Sequence, residues 1–113
     1  GEALYRQGEP ADSIGILASG GLLVTGTDEQ GHSIRLRRMV GHTIVGEMGF
    51  YRKIARSATV VAEEASVVYQ LSREAFDRMH ARDPQAAAAL HQLIIRLLSD
   101  RLEFANRETA ALQ

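Results

Sequence analysis

Apolar positions in the first part of the chain come in short runs with a period of two, and from Ser72 onward they recur with the period of a helix. Ala3 to Arg6 alternates and stops at Gly8-Glu9-Pro10-Ala11-Asp12, a dense turn signal. Ser13 to Ala18 places Ile14, Ile16 and Ala18 on one face and Leu17 on the other, and Gly20-Gly21 interrupts it before Leu22 to Thr25. Asp28-Glu29-Gln30-Gly31 has the polar, glycine-ending chemistry of a hairpin tip. Ser33 to Arg38 resumes the alternation, predicting Ile34 and Leu36 inward and Arg35 and Arg37 outward. After Gly41, Thr43 to Val45 is a β-branched run, and Ser57 to Ala62 and Ala65 to Leu71 add two strands around Glu63-Glu64. Strands this short and closely spaced predict a β-sandwich or jelly roll rather than a βαβ fold.

Ser72 is a candidate N-cap, and Glu74 sits where a helix N-terminus favours negative charge. Ala75, Phe76 and Met79 form the apolar stripe of a helix that ends at Asp83-Pro84. Asp83 can in turn cap a second helix whose first residue is Pro84. From there to about Glu108 the period stays helical without a Gly or Pro, with Leu90, Leu93, Ile94, Leu97, Leu98, Leu102 and Phe104 as its apolar residues. That stripe is wider than one seam needs. It fits one face on the β domain and another on a partner helix, and equally a helix buried against its own domain.

Composition narrows the class. With 113 residues, 45% of them hydrophobic and 24% charged, the chain is one domain with a modest core. A net charge of −1 leaves no basic excess for nucleic acid or a membrane surface. The absence of cysteine excludes disulfides and thiolate metal sites, and no apolar run approaches a membrane span. The start at Gly1-Glu2 and an end inside a helical pattern read as a fragment of a longer protein. No nucleophile–base–orienter set stands out, so no enzyme activity is expected. A cupin-type metal site would need more than His42 and Glu47, and His32, His80 and His91 are badly placed to help. No metal and no further cofactor is expected.

The chemistry concentrates in Gly46 to Ala58, GEMGFYRKIARSA. Gly46 and Gly49 allow close backbone approach, and Glu47 to Tyr51 can form one helical turn whose free N–H groups face an anion. Arg56 supplies a planar fork suited to phosphate oxygens. Glu47 repels phosphate but can accept a hydrogen bond from a neighbouring hydroxyl, as on a ribose. An acid and a base at this spacing therefore fit a ligand that is half sugar and half phosphate, and fit equally an ordinary ion pair on a loop.

GEMGFYRKIARSATV closely resembles the phosphate-binding cassette of the cyclic nucleotide-binding domain family, the effector module of the catabolite activator protein and of cyclic-nucleotide-dependent kinases and channels. YRQGEPADSIGILASGGLLV resembles that family's first strands, and LSREAFDRM the end of its β-roll and the helix that follows. The resemblance implies a mainly β fold, a double-stranded β-helix or jelly roll over about 1–71 with a short cassette helix, and two C-terminal helices over about 72–110. It implies cyclic AMP or cyclic GMP as ligand. Gly46 and Glu47 would lie at the ribose 2′-hydroxyl, the backbone of Met48 and Gly49 would face the phosphate, Arg56 would bind its oxygens, and Ser57 and Ala58 would complete the cassette. Ala55 departs from the usual proline, and Phe50-Tyr51 are bulkier than the usual aliphatics. The base end is less specified: Asn106 is the residue the resemblance suggests, with Arg96 and Arg101 as rivals. Val45 and Ile34 are read as pocket lining or as plain core.

The tail LHQLIIRLLSDRLEFANRETAALQ is similar to the cyclic-nucleotide-like domains appended to bacterial SulP-type anion transporters (sulfate permeases), which implies a cytoplasmic regulatory extension of a membrane protein. The alternatives are the effector domain of a Crp/Fnr-like regulator without its helix-turn-helix, and a degenerate docking or dimerisation module. Expected partners are the cyclic nucleotide, host domains outside this chain, and a second copy through the C-terminal helix. No direct contact with nucleic acid is expected.

Overall fold

The computed structural model describes residues 1–111. Seven strands and three helices follow one another as β1 (Ala3–Tyr5), β2 (Ser13–Ser19), β3 (Gly21–Thr27), β4 (Ser33–Val40), β5 (Thr43–Val45), α1 (Glu47–Arg52), β6 (Thr59–Ala62), β7 (Val67–Ser72), α2 (Arg73–Arg82) and α3 (Pro84–Ala111). The strands form a four-stranded sheet in the order β1-β6-β3-β4 and a three-stranded sheet in the order β5-β2-β7, every pairing antiparallel. This is the expected mainly β roll with its short helix and two C-terminal helices.

Both sheets feed one core. Tyr5, Leu22, Val24, Met39 and Val60 come from the larger sheet, Leu17 and Val45 from the smaller, and Val68 packs at its edge. Leu17 and Val45 are 0% and 1% exposed, and burial of such a side chain stabilises by about 1.5–3 kcal/mol. The alternation of β2 is therefore resolved: the face of Leu17 points between the sheets. Asp28 closes the β3–β4 hairpin, its Oδ1 accepting from the N–H groups of Gln30 (2.9 Å) and His32 (2.8 Å).

The alternation of β4 is not what its sequence predicts. Ile34 and Leu36 are 41% and 53% exposed, whereas Met39 is in the core. The register explains the reversal. Val24 pairs with Arg37 and Thr25 with Arg35, so Leu36 is an extra residue that the partner strand does not match. Such an irregularity shifts the faces on either side of it, and a half-buried pattern read with a strict period of two then assigns the wrong face.

The chain divides into two compact units, Gly1–Arg73 and a second from Glu74 onward. In the second, Asp83 caps α3 as expected, its Oδ1 accepting from the N–H of Ala86 at 3.1 Å. His80 and His91 join α2 to α3 with 2.6 Å between their Nε2 atoms, and the Phe76 ring packs against both. Among the described residues no helix is long and apolar enough to cross a membrane.

Candidate functional site

Residues 46–58 form one wall of a cavity in the first unit. At its start, Gly46 has φ +77, a conformation side chains rarely adopt, and a Cβ there would lie 2.5 Å from Arg56 Nη1 and 2.7 Å from Tyr5 Cε2. No residue larger than glycine fits. α1 follows at once, with the Phe50 N–H bonded to Gly46 O at 3.3 Å, and the first-turn N–H groups of such a helix have no partner within it. Gly49 is required by packing instead: a Cβ on it would lie 2.8 Å from the Ala11 Cβ. Lys53, in the left-handed region at φ 56, ends the helix, and the Ile54 N–H bonds Gly49 O at 3.1 Å.

Arg56 is the centre of the arrangement. It is only 6% exposed. Its Nη1 donates to Gly46 O at 2.9 Å, its Nη2 donates to Ser13 O at 2.7 Å and to Ser13 Oγ at 3.3 Å, and its Cζ lies 3.6 Å from the centre of the Tyr5 ring. Its main chain is fastened to the Gly8-Glu9 turn, with Arg56 N–H donating to Glu9 O (2.8 Å) and Gly8 N–H donating to Arg56 O (2.9 Å). Tyr5 is held by its hydroxyl, which donates to Gln70 Oε1 at 3.0 Å. Burial pushes the Tyr5 phenol above its ordinary value, against the opposing pull of the Ser13 hydrogen bond and of the Arg56 charge.

Among the described residues Arg56 makes no ion pair, so the alternative of a Glu47–Arg56 pair is not realised. The nearly buried guanidinium is thus held by neutral carbonyls, a hydroxyl and an aromatic face. Burying such a charge is costly unless an anion joins it.

The cavity has a volume of about 80 Å³, the size of a few water molecules and suited to one phosphate-sized group. Seven of the eight expected site residues line it: Gly46, Glu47, Met48 and Gly49 from the start of the cassette, and Arg56, Ser57 and Ala58 from its end. Glu47 is half-buried, whereas Met48 and Ser57 are exposed. Val45 lines it as well. Asn106 is exposed on α3 and belongs to the second unit, as do its rivals Arg96 and Arg101. Ile34, expected in the lining or in the core, is in neither: it pairs with Gly26 at the hairpin end of β4 and is 41% exposed.

The sequence reading missed four contributors. Tyr5 and Arg37 line the cavity, Ser13 holds the Arg56 fork, and Arg73 braces the cassette from behind. Arg73 Nη2 donates to Phe50 O at 2.6 Å and to Ala11 O at 3.0 Å, with its Cζ 4.2 Å from the centre of the Phe50 ring. Only Arg37 carried a local signal, as one of three arginines crowded on one strand.

Residues 1–83 match the model of the cyclic nucleotide-binding domain. Glutaminase 1 of Bradyrhizobium diazoefficiens is 31% identical over 106 residues, covering 94% of this chain and 16% of that protein. The catabolite activator protein of Thermus thermophilus superimposes with a TM-score of 0.68 at 28% identity, over 99% of this chain and 51% of that one. A cyclic nucleotide-binding domain from Methylobacillus flagellatus has the same fold, with a TM-score of 0.80 at 21% identity over 99% of this chain and 63% of that one. The chain thus spans about a sixth of the glutaminase and about half of the activator.

Proposed function

The chain belongs to the cyclic nucleotide-binding domain family, and on that premise we propose that residues 46–58 hold a cyclic nucleotide, cyclic AMP or cyclic GMP, as the sensing step of a larger regulated protein. The observation that carries this reading is the nearly buried Arg56 guanidinium in the cavity wall, which makes no ion pair among the described residues. A cyclic phosphate would supply an anionic partner. Arg56 would meet its oxygens, the first-turn N–H groups of α1 and the exposed Ser57 hydroxyl would add donors, and the small Ala58 leaves room for it. Glu47 would accept from the ribose 2′-hydroxyl. The domain binds and carries out no chemistry of its own.

Binding would act on the host by favouring one arrangement of the helices that follow the β-roll. A ligand shifts such an equilibrium only as far as it prefers one state over the other. For the host we keep the SulP-type transporter suggested by the tail, with the module on its cytoplasmic face. The relatives carry the same module in hosts of quite different kinds, which supports an appended regulator but not this particular host. A multi-span hydrophobic segment upstream in the parent gene supports the transporter, and a helix-turn-helix downstream assigns the module to a transcription regulator.

Calorimetric titration with cyclic AMP and cyclic GMP tests the site. Saturable binding by the native chain, lost in Arg56→Ala and largely lost in Arg56→Lys, is the expected result. Because alanine strands the carbonyls of Gly46 and Ser13, circular dichroism must show both variants folded. Absence of binding by the folded native chain would overturn the reading.

A further inference from the structure

The joint between α2 and α3 carries chemistry that the nucleotide cavity does not use. His80 lies near the end of α2 and His91 about two turns into α3, with the Asp83-Pro84 corner between them. Their Nε2 atoms face each other at 2.6 Å, with the ring centres 4.8 Å apart. Neither ring is loosely placed. The Phe76 ring packs against both, its centre 4.4 Å from that of His80 and 5.4 Å from that of His91. His80 Nδ1 lies 2.8 Å from Phe76 O. A carbonyl only accepts, so that nitrogen carries the proton, and Nε2 of the neutral ring presents a lone pair. His91 Nε2–H then donates to it. His80 is exposed and His91 half-buried, so the pair is open to ions from solvent.

We propose that His80 and His91 form a binding site for a divalent transition-metal ion of the zinc class, which braces the α2–α3 corner when it binds. The site stands independently of the nucleotide reading. Neutral imidazole is the commonest ligand for such ions. A ligating histidine almost always has an acceptor on its other nitrogen, which fixes the tautomer and aims the ring, and Phe76 O supplies that acceptor to His80. In His91, transfer of the proton from Nε2 to Nδ1 replaces the N–H···N contact by two lone pairs converging on one point. Zn–N bonds of about 2.0–2.1 Å at a tetrahedral angle set the two nitrogens roughly 3.3 Å apart. The pair reaches that spacing by a small outward turn of the exposed His80 ring. Among the described residues no third histidine, cysteine or carboxylate completes a metal set. Water then fills the remaining positions, and the ion is held reversibly, unlike built-in zinc with its three or four protein ligands. Magnesium and calcium, which seek oxygen, find little to bind in two nitrogens. A bound ion ties α2 to α3 across 11 positions of sequence.

The experiment is calorimetric titration of the native chain, carrying no polyhistidine tag, with zinc chloride and in parallel with magnesium chloride. Saturable binding of one zinc ion per chain, and no heat from magnesium, is the expected result. His80→Ala and His91→Ala should each weaken zinc binding by about tenfold or more. His32→Ala and His42→Ala, in the first unit, should leave it unchanged. Circular dichroism without zinc should show all four variants folded. Because alanine at position 80 or 91 also removes a contact between the helices, the native chain supplies a second readout. Its Nε2 resonances of His80 and His91 should shift together as zinc is added, while those of His32 and His42 stay in place. Amide hydrogen exchange between Phe76 and His91 should slow with zinc in the native chain and in neither variant of the pair. A native chain that binds no zinc would overturn the proposal. So would zinc binding that His80→Ala and His91→Ala both retain, or zinc that leaves the two imidazoles unshifted. Each of these outcomes leaves the cyclic nucleotide reading standing.

Discussion

Arg56 and Arg73 are built into the cassette by the same device and do opposite work. Each donates to two backbone carbonyls and stacks on an aromatic ring, Arg56 on Tyr5 and Arg73 on Phe50. Arg73 binds Phe50 O in the latter half of α1, where the partial charge of a helix favours a cation. Arg56 binds Gly46 O at the other end, where the opposite, positive partial charge disfavours one. The first arrangement is complete as it stands. The second is a positive charge next to positive partial charge, nearly out of water and facing a cavity, and it becomes favourable once an anion arrives. A buried arginine on carbonyls is therefore a tie in one place and half of a binding site in another, depending on where along the helix it attaches and on what it faces.

The largest effect that separates the two concerns affinity. Arg56→Ala should cost cyclic nucleotide binding about 2–5 kcal/mol, as loss of a desolvated charge-assisted contact does, while Arg73→Ala should change affinity far less. Titration of both variants would erase the distinction if their losses were equal. Stability should show the reverse emphasis: Arg73→Ala leaves two carbonyls short of a donor and should lower the unfolding free energy by about 1–3 kcal/mol, read from a denaturant midpoint, with no recovery on adding nucleotide beyond that of the native chain. Gly46→Ala, with its Cβ forced towards Arg56 and Tyr5 at a positive φ, should cost a comparable 1–3 kcal/mol, roughly, and weaken binding as well.

The smallest effect is one of pH. Burial holds the Tyr5 phenol above its ordinary value, so the unfolded chain ionises first. The resulting stability is fully present below the ordinary phenol range near 10 and is lost as pH rises through the raised folded value. Thermal midpoints followed from neutral to strongly alkaline pH should fall, and fall less steeply in Tyr5→Phe. The slope should not vanish in that variant, because burial raises Tyr51 too.

Much of this was legible locally. The strands, the Asp83-Pro84 junction and the cassette helix each depend on residues close in sequence, where turn chemistry and period speak directly. The partners of Arg56 were not, since Tyr5 and Ser13 reach it only through sheet pairing across 51 and 43 positions. Nor was the placing of Arg37 opposite Val24: one unmatched residue, Leu36, shifts the faces of β4 beyond it, and nothing in SIRLRRMV marks where the mismatch falls. Ile34 keeps the expected face, opposite Gly26, but lies at the hairpin end of the strand, and period alone does not tell where the core stops. Asn106 came from resemblance alone, and its exposed place on α3 carries no geometry of its own towards the cavity.

The stacking of Arg56 on Tyr5 also has an optical consequence. The chain contains three tyrosines and no tryptophan, so phenol emission is not masked by an indole. Tyr5 is buried with a guanidinium 3.6 Å above its ring, whereas Tyr51 and Tyr69 are exposed by 42% and 68%. Any ligand that draws the Arg56 charge towards itself changes the electric field across this one ring. The protein thus carries its own reporter at the site, and its intrinsic fluorescence can register occupancy without a label.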